Sequence, residues 1–296
     1  MSQRVLVTGA NGQLGWELSR ILNPGESVFV DRDALDITDA QAVGQFLREH
    51  AFDYVVNCAA YTAVDRAEVE AEACRRINVG GIRNLAQALR GTHTRLIHIS
   101  TDFVFDGLKE TPYVETDAVA PLSVYGKSKT ESEKILFDTL PSALVIRTGW
   151  LYSAHGHNFV KTMLRVAASG TPLKVVDDQC GKPTWAADLA RAIKAIIDSA
   201  KWQPGVYHFS NQGETTWYGF AREICDIAYR DAKLSPCTTA EYPTAAKRPA
   251  YSVLDKTKIT STYPNVIVPH WRDSLLRCLK EIENTLNHNR INVHTY

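Results

Sequence analysis

The stretch Thr8-Gly9-Ala10-Asn11-Gly12-Gln13-Leu14-Gly15 decides the fold of this chain. It follows an apolar run typical of a β-strand and opens a segment with helical periodicity. In such a strand–turn–helix unit, Gly9 permits a tight turn, Gly12 lets the backbone approach a pyrophosphate, and Gly15 allows close packing of helix on sheet. The helix N-terminus adds free N–H donors and a positive potential. We therefore predict a dinucleotide-binding turn, in which the cofactor residues are Gly9, Asn11, Gly12, Gln13 and Leu14.

On both sides of this turn, short runs rich in Val and Ile alternate with longer helical stretches, which is typical of βαβ units and a parallel sheet. The predicted strands are Arg4–Thr8, Ser27–Val30, Tyr54–Asn57, Leu96–Ser100 and Leu144–Arg147. The predicted helices between them are Gln13–Leu22, Asp39–Glu49, Ala71–Leu89 and Ser123–Asp138. This order predicts an α/β fold with a doubly wound parallel sheet of the Rossmann type.

After Arg147 the periodicity is less regular, and prolines punctuate the chain. Two further amphipathic helices are predicted around 159–167 and 189–197, and a further strand at Gly205–Phe209. We predict that residues 1–150 form the dinucleotide-binding domain, with later returns near 172–210. Residues 151–296 are predicted to form mainly a smaller, substrate-binding lobe.

Composition excludes several classes of protein. Lys plus Arg equals Asp plus Glu, at 33 each, so no net positive field exists to hold nucleic acid or an anionic membrane. The sequence has no long apolar run of the kind that crosses a membrane and no signal-peptide core at its start, which makes a cytoplasmic location the default expectation. The six cysteines form no CxxC pair and no zinc-ligand spacing, so we expect free thiols and no metal site.

An acidic residue follows the second predicted strand, where a dinucleotide-binding unit holds the adenosine ribose. This residue is Asp31, and it favours NAD. Its neighbour Arg32 would suit the 2′-phosphate of NADP through charge-assisted hydrogen bonds. The cofactor prediction is therefore NADH or NADPH, with both open. Asp36 and Ile37 are predicted to enclose the adenine, although Asp36 is equally explained as a turn residue.

A Tyr and a Lys, Tyr125 and Lys129, lie four residues apart at the start of a predicted helix and so share one face. A nearby ammonium lowers the pKa of a phenol from its ordinary value of about 10 and makes it usable in acid–base catalysis. Thr101 follows a predicted central strand, at the sheet edge where ligands bind. We predict Thr101, Tyr125 and Lys129 as catalytic residues, the last two also contacting the cofactor.

A Thr, a Tyr and a Lys that follow a glycine-rich dinucleotide turn in this order resemble the pattern of the extended short-chain dehydrogenase/reductase family. The resemblance is closest to members that reduce nucleotide-linked keto sugars, and it runs from about Arg4 to about Lys280. The strings that carry it are Ser100–Gly107, Val124–Lys127, Gly12–Leu18, Asn57–Asp65, Asn158–Met163, Asp178–Thr184 and Arg248–Pro249.

The resemblance implies reduction of the 4-keto group of a dTDP-linked 4-keto-6-deoxyhexose, dTDP-4-dehydro-β-L-rhamnose, to dTDP-L-rhamnose, with Tyr125 as proton donor. It places Ala59, Ala60 and Tyr61 beside the nicotinamide. For Asn78 a proton relay and a pairing with backbone stay open. The substrate-binding residues that it implies are Thr101, Asp102, Trp150, Asn158 and Arg248. Trp150 would pack on the deoxysugar, unless it is a core residue, and Arg248 suits a diphosphate. A homodimer is a further expectation.

Some positions depart from the family pattern. Gly149 replaces a small polar residue, and Cys180 and Lys182 replace commoner ones, which leaves the exact sugar open. Of the carboxylates that hold magnesium in some relatives only Glu17 matches, so no metal is carried over. The alternatives are another sugar-nucleotide 4-ketoreductase or an epimerase of the same family, or a non-catalytic regulatory subunit. Phe103 stands where a dehydratase needs a second acid.

Overall fold

The computed structural model describes residues 3–199, 201–228 and 232–293, and side chains within these ranges as far as residue 285. The strands are β1 Val5–Thr8, β2 Ser27–Val30, β3 Tyr54–Asn57, β4 Arg95–Thr101, β5 Leu144–Thr148, β6 Leu151–Tyr152, β7 Leu173–Val176, β8 Cys180–Gly181, β9 Thr184–Trp185, β10 Gly205–His208, β11 Thr215–Thr216 and β12 Leu234–Cys237. A 3₁₀ turn at Asp102–Val104 follows β4.

The helices are α1 Gln13–Ser19, α2 Ala40–Glu49, α3 Val64–Ala67, α4 Ala71–Arg75, α5 Gly81–Leu89, α6 Val124–Thr139, α7 Phe159–Ser169, α8 Ala186–Asp198, α9 Trp217–Ile227, α10 Thr257–Thr262 and α11 Trp271–Val293. A π-helical turn, Arg76–Gly80, joins α4 to α5, so that the predicted helix 71–89 is one rod with a wider turn at its centre.

A six-stranded parallel sheet forms the centre of the molecule, in the order β2-β1-β3-β4-β5-β10. The chain moves outward from β1 in one direction to β2 and in the other through β3, so the topological switch point lies between β1 and β3. The fold-class prediction is confirmed. The predicted strands differ from the observed ones by at most one residue at an end, because a short run with apolar residues at its centre marks each of them.

Helices cover the two faces of this sheet. On one face, α1 and α8 pack over side chains such as Leu18 and Ile193, together with Ile259 of α10. On the other, α2, α5 and α6 pack through residues such as Val43, Leu85 and Leu136. Each such side chain contributes about 1.5–3 kcal/mol by leaving water, which holds the strand ends in fixed positions.

A smaller lobe is built from short pieces. Its apolar cluster joins α7, α9 and α11, and β7 pairs with β12 there. Two-residue strands complete it, β6 beside β9 and β8 beside β11. The segment 186–208, with α8 and β10, returns to the central sheet, whereas Leu173–Val176 stays in the lobe. The division of the chain at residue 150 stays a prediction.

Within the described ranges, every helix is too short or too polar to traverse a lipid bilayer. The same residues contain no cluster of His, Cys, Asp and Glu arranged to hold a metal ion.

Candidate active site

The candidate site is a continuous groove along the carboxyl ends of the sheet strands. One part, a cavity of about 250 Å³ that we call the cofactor cavity, is lined by Gly9, Gly12, Asp31, Arg32, Leu35, Asp36, Ile37, Thr38, Cys58, Ala59, Ala60, Arg76 and Ile77. The other part, of about 510 Å³, we call the reaction groove; it contains Thr101, Tyr125 and Lys129. Gly9, Gly12, Cys58 and Ala60 line both parts and so join them.

The glycine-rich turn needs its glycines for physical reasons. Gly9 has a φ of 68°, and a Cβ there would lie 2.6 Å from the backbone N of Ala59. A Cβ on Gly15 would lie 2.3 Å from the carbonyl oxygen of Gly9. The start of α1 is thereby pressed against the ends of β1 and β3, with its N–H groups at the groove. Gln13 and Leu14 line the reaction groove. This bare backbone cradle fits a dinucleotide phosphate.

Asp31 follows β2, and its carboxylate accepts hydrogen bonds from backbone N–H groups, one of them in the glycine-rich turn. Its Oδ2 accepts a hydrogen bond from the Asn11 backbone N–H at 2.9 Å, and its Oδ1 accepts one from that of Arg32 at 2.8 Å. Asn11 itself does not line either cavity. The exposed Arg32 guanidinium lies 3.4 Å from the Asp36 carboxylate. Asp31 is thus set to receive a ribose hydroxyl, and Arg32 stands at the same opening, which leaves both cofactors compatible with the site.

Tyr61, unlike its neighbours Ala59 and Ala60, does not line either part of the groove. Its hydroxyl donates to Glu70 at 2.7 Å, away from the cavities. The Asn78 side chain accepts from the Tyr61 N–H at 2.8 Å and donates to the Tyr61 carbonyl at 3.2 Å. The same amide also donates to the Ser128 hydroxyl at 2.9 Å, so Asn78 pairs with backbone, and the proton relay stays a prediction. Asn78 fixes the segment that begins with Ala59 and Ala60, on the floor of the cofactor cavity.

Thr101 and Tyr125 both line the reaction groove, at the end of β4. Thr101 Oγ1 donates to Asp102 Oδ1 at 3.1 Å and accepts from the Phe103 N–H at 3.2 Å. Burial raises the pKa of Tyr125 above its ordinary value, while the neighbouring Thr101 side chain acts in the opposite direction. Tyr125 is therefore a protonated phenol at neutral pH, in the form that an acid requires.

Lys129 does not act on Tyr125 as the spacing suggested. Its Nζ donates to the Ile99 carbonyl at 2.7 Å and lies 3.1 Å from His98 Nε2, beneath the groove. The expectation that Lys129 lowers the pKa of Tyr125 is wrong for this structure, because the amine is turned to the sheet and burial dominates. Burial also lowers the pKa of Lys129 to about 8.

Asp102 and Gly149 share one small space at the bottom of the reaction groove. Asp102 is buried, and its Oδ2 has no hydrogen-bond partner among the described residues. Burial raises the pKa of Asp102 to about 6. A Cβ on Gly149 would lie 2.5 Å from this carboxyl group. The departure from the family pattern at 149 is therefore matched to Asp102, because a larger side chain at 149 would collide with this buried carboxyl group.

Trp150 forms a wall of the reaction groove with a second tryptophan. Its ring stacks on Trp217 with centroids 3.6 Å apart and planes 7° apart. A Cβ on Gly181 would lie 2.5 Å from the Trp150 ring, so glycine is needed there. Trp150 has a φ of 51°, a strained value for a bulky residue. Such strain persists where packing holds it and is common at ligand sites.

Asn158 and Arg248 line the groove while bound to protein partners. Asn158 caps α7 by accepting from the Lys161 N–H at 3.1 Å, and its amide donates to the Ser153 carbonyl at 2.7 Å. Arg248 forms a forked pair with Asp65, at 2.6 and 3.1 Å. The Asn158 amide is thus occupied by capping, and the Arg248 fork is oriented by Asp65 of α3. Their roles toward a nucleotide stay predictions.

A family model described as "RmlD substrate binding domain" matches residues 3–284, nearly the whole chain. This chain belongs to the RmlD family. Its members include relatives of high similarity. A dTDP-4-dehydrorhamnose reductase of Aggregatibacter actinomycetemcomitans is 41% identical over 88% of this chain and 93% of its own length. A probable dTDP-4,6-dihydroxy-2-methyloxan-3-one 4-ketoreductase of Streptomyces antibioticus is 42% identical over 94% of this chain and 95% of its own length.

Among solved structures, a dTDP-4-dehydrorhamnose reductase of Bacillus anthracis in complex with NADP superposes with a TM-score of 0.90. It is 38% identical to this chain, and the match covers 95% of this chain and 100% of the other. Membership of the RmlD family confirms the resemblance seen in the sequence and the expected class of enzyme, an NAD(P)H-dependent oxidoreductase.

Three residues of this RmlD-family site were missed in the sequence. Trp217 begins α9, and its only sequence signal is an aromatic residue after the cap Thr216, which accepts from the Gly219 N–H. Asp65 lies inside a quoted family string but carried no assigned role. His98, under Lys129, alternates with apolar neighbours in β4 and so gave no sign of its partners.

Proposed function

We propose that this protein reduces the 4-keto group of dTDP-4-dehydro-β-L-rhamnose to dTDP-L-rhamnose, with NADPH or NADH as the reductant. The observation that carries the proposal is that one groove holds the glycine-rich turn together with Thr101, Tyr125 and Lys129. The relatives named dTDP-4-dehydrorhamnose reductase support the choice of reaction. A cytoplasmic location and a homodimer remain predictions.

The residues divide the chemistry as follows. The bound dihydronicotinamide supplies a hydride for carbon 4 of the sugar. Tyr125 donates its phenolic proton to the oxygen on that carbon, so that a ketone becomes a secondary alcohol. The Thr101 hydroxyl bonds the same oxygen and fixes its direction. Bulk solvent then returns a proton to Tyr125, whose raised pKa favours the protonated form.

Other residues bind and orient. Gly9, Gly12 and the N-terminus of α1 would hold the pyrophosphate of the cofactor, and Asp31 a ribose hydroxyl. Lys129 would bind the nicotinamide ribose from the groove floor. On the substrate side, Trp150 and Trp217 would form an apolar wall for the deoxysugar, and Asp102, which lines the same groove, would lie beneath the sugar.

The experiment is an absorbance assay with the dTDP-4-keto sugar and each cofactor in turn, followed by identification of the product. We expect one equivalent of NADPH or NADH to be oxidised for each dTDP-L-rhamnose formed. An epimerase would interconvert sugars without net oxidation of added cofactor. That outcome, or no reaction with either cofactor, would overturn the proposal.

A second candidate substrate is a dTDP-linked 4-keto sugar with a different substitution pattern. It is favoured by the similarity to the Streptomyces antibioticus ketoreductase and by Gly149, at which this chain departs from the family pattern. Offering both sugars to the same enzyme distinguishes the two, since the true substrate will have the higher kcat/KM.

A further inference from the structure

A chain of buried polar side chains crosses the central sheet beneath the glycine-rich turn. Thr8 Oγ1 donates to Asn57 Oδ1 at 2.6 Å. Asn57 Nδ2 lies 2.9 Å from His98 Nδ1, and His98 Nε2 lies 3.1 Å from Lys129 Nζ. The first three residues are direct register partners on β1, β3 and β4, and Lys129 approaches them from α6. A hydrogen-bonded path therefore runs from the cofactor turn to Lys129.

The burial of this polar row costs free energy, because polar side chains lose their hydrogen bonds to water. Each of the four side chains is about 99% buried. The row directly before it in the sheet, Val7, Val56 and Ile97, is wholly apolar and packs without polar partners. Polar groups in such a place are stable only when they are fully hydrogen-bonded. At the end of the row, His98 Nε2 is satisfied by Lys129 Nζ at 3.1 Å, with the Ser132 hydroxyl at a longer 3.4 Å.

The protons of the row are linked to the charge of Lys129. A neutral imidazole has one N–H, so if the Asn57 amide donates to His98 Nδ1, the ring proton lies on Nε2 and faces a neutral amine. If Lys129 is an ammonium, it donates to Nε2, the ring proton lies on Nδ1, and the Asn57 amide must be turned to accept it. Burial lowers the pKa of His98 well below its ordinary value, which keeps the ring neutral in both arrangements.

We propose that His98, fixed by Asn57 and Thr8, is a positioning residue that holds the Lys129 amine against the Ile99 carbonyl at the floor of the reaction groove. It acts on turnover only through Lys129. The inference therefore rests on the role of Lys129 in the proposed function. Since Thr8 immediately precedes Gly9, the row also ties the amine to the turn that binds the cofactor.

The test is a double-mutant cycle on cofactor affinity and turnover with wild type, His98→Leu, Lys129→Met and the double variant. Loss of a hydrogen bond to a charged or ionisable group predicts that His98→Leu weakens cofactor binding and lowers kcat/KM by about tenfold to a hundredfold. The double variant should be no worse than Lys129→Met alone. His98→Gln, whose amide can still reach the amine, should recover most of the loss.

His208 is the matched control. It is a fully buried histidine of β10 in the same sheet, and its ring bonds the Tyr113 carbonyl at 3.1 Å, away from Lys129. His208→Leu should lower stability without changing cofactor affinity. An equal loss in His208→Leu, losses that add in the double variant, or wild-type kinetics in His98→Leu would each overturn the inference.

A spectroscopic measurement covers the case in which His98→Leu does not fold. In ¹⁵N NMR of the histidine rings, Lys129→Met should shift the His98 ring nitrogens and leave those of His208 in place; unshifted His98 signals would contradict the inference. The proposed function fails separately. If Lys129→Met keeps wild-type turnover, the role of Lys129 in the proposed function is wrong. If Lys129→Met is inactive while His98→Leu has wild-type activity, the proposed function stands and only the inference about His98 is wrong.

Discussion

The cofactor half and the sugar half of the groove hold their side chains by different means. In the cofactor half, Lys129 and the turn around Gly9 are fixed by regular elements and by buried hydrogen bonds. In the sugar half, Trp150 stands in a strained conformation directly before the two-residue strand β6 and is held by stacking on Trp217. The comparison indicates that the cofactor half is a rigid site for the dinucleotide. The shape of the sugar half depends instead on a few packed contacts.

The largest expected effect lies where the two halves meet. Tyr125→Phe removes the proton donor and should lower kcat by about two to four orders of magnitude, the usual range for a lost general acid. Affinity for the cofactor, measured by fluorescence titration, should change little. Near-normal turnover in this variant would mean that the proton comes from another group.

The second prediction concerns the free energy that burial of the Lys129 amine costs in the cofactor half. The pKa of Lys129 is lowered to about 8 from 10.5, so the unfolded chain binds more protons than the folded one between these values. Relative to Lys129→Met, the stability of the wild type should therefore rise with pH across that window, by about 3 kcal/mol from this group. Lys129→Met lacks this gain. Denaturant unfolding of both proteins at pH 7 and above pH 10 measures the difference, and parallel pH dependences would contradict it.

The third prediction concerns the close packing of Gly149 against the Asp102 carboxyl group. Gly149→Ala places a methyl group against the Asp102 carboxyl, and overpacking of this kind costs about 1–3 kcal/mol. We expect a lower melting temperature and a higher KM for the sugar nucleotide. Gly80→Ala is the control, because a Cβ there meets no atom within 4 Å. Equal behaviour of the two variants would show that the close packing of Gly149 against Asp102 does not matter for stability or for binding of the sugar nucleotide.

The smallest expected effect is on the aromatic wall. Trp217→Leu removes a stacking contact worth about 0.5–1.5 kcal/mol, so the KM for the sugar nucleotide should rise by about twofold to tenfold, with cofactor affinity unchanged. Trp202→Leu is the control, since Trp202 lies by Tyr54, away from the groove. A change in cofactor affinity in Trp217→Leu would break the division between the halves.

The same division explains what could be predicted from the sequence. Residues such as Asp31 and Thr101 follow strands that are marked by apolar runs, so their place at the sheet edge follows from the topology. Trp217 and Asp65 reach the groove only because distant segments pack together, and no local pattern encodes that packing. The predicted effect of Lys129 on Tyr125 was wrong for a related reason. Spacing on a helix shows that two side chains share a face, but it does not show whether the amine contacts Tyr125 or His98.

The account depends on Tyr125 lying beside both the reacting carbon of the cofactor and the sugar oxygen. A crystal structure with NADP⁺ and dTDP-L-rhamnose measures this directly. We predict that the Tyr125 hydroxyl lies within about 3.2 Å of the O4 of the sugar, with C4 of the nicotinamide facing carbon 4 of the rhamnose. A sugar bound elsewhere, or a Tyr125 hydroxyl far from that oxygen, would contradict the account.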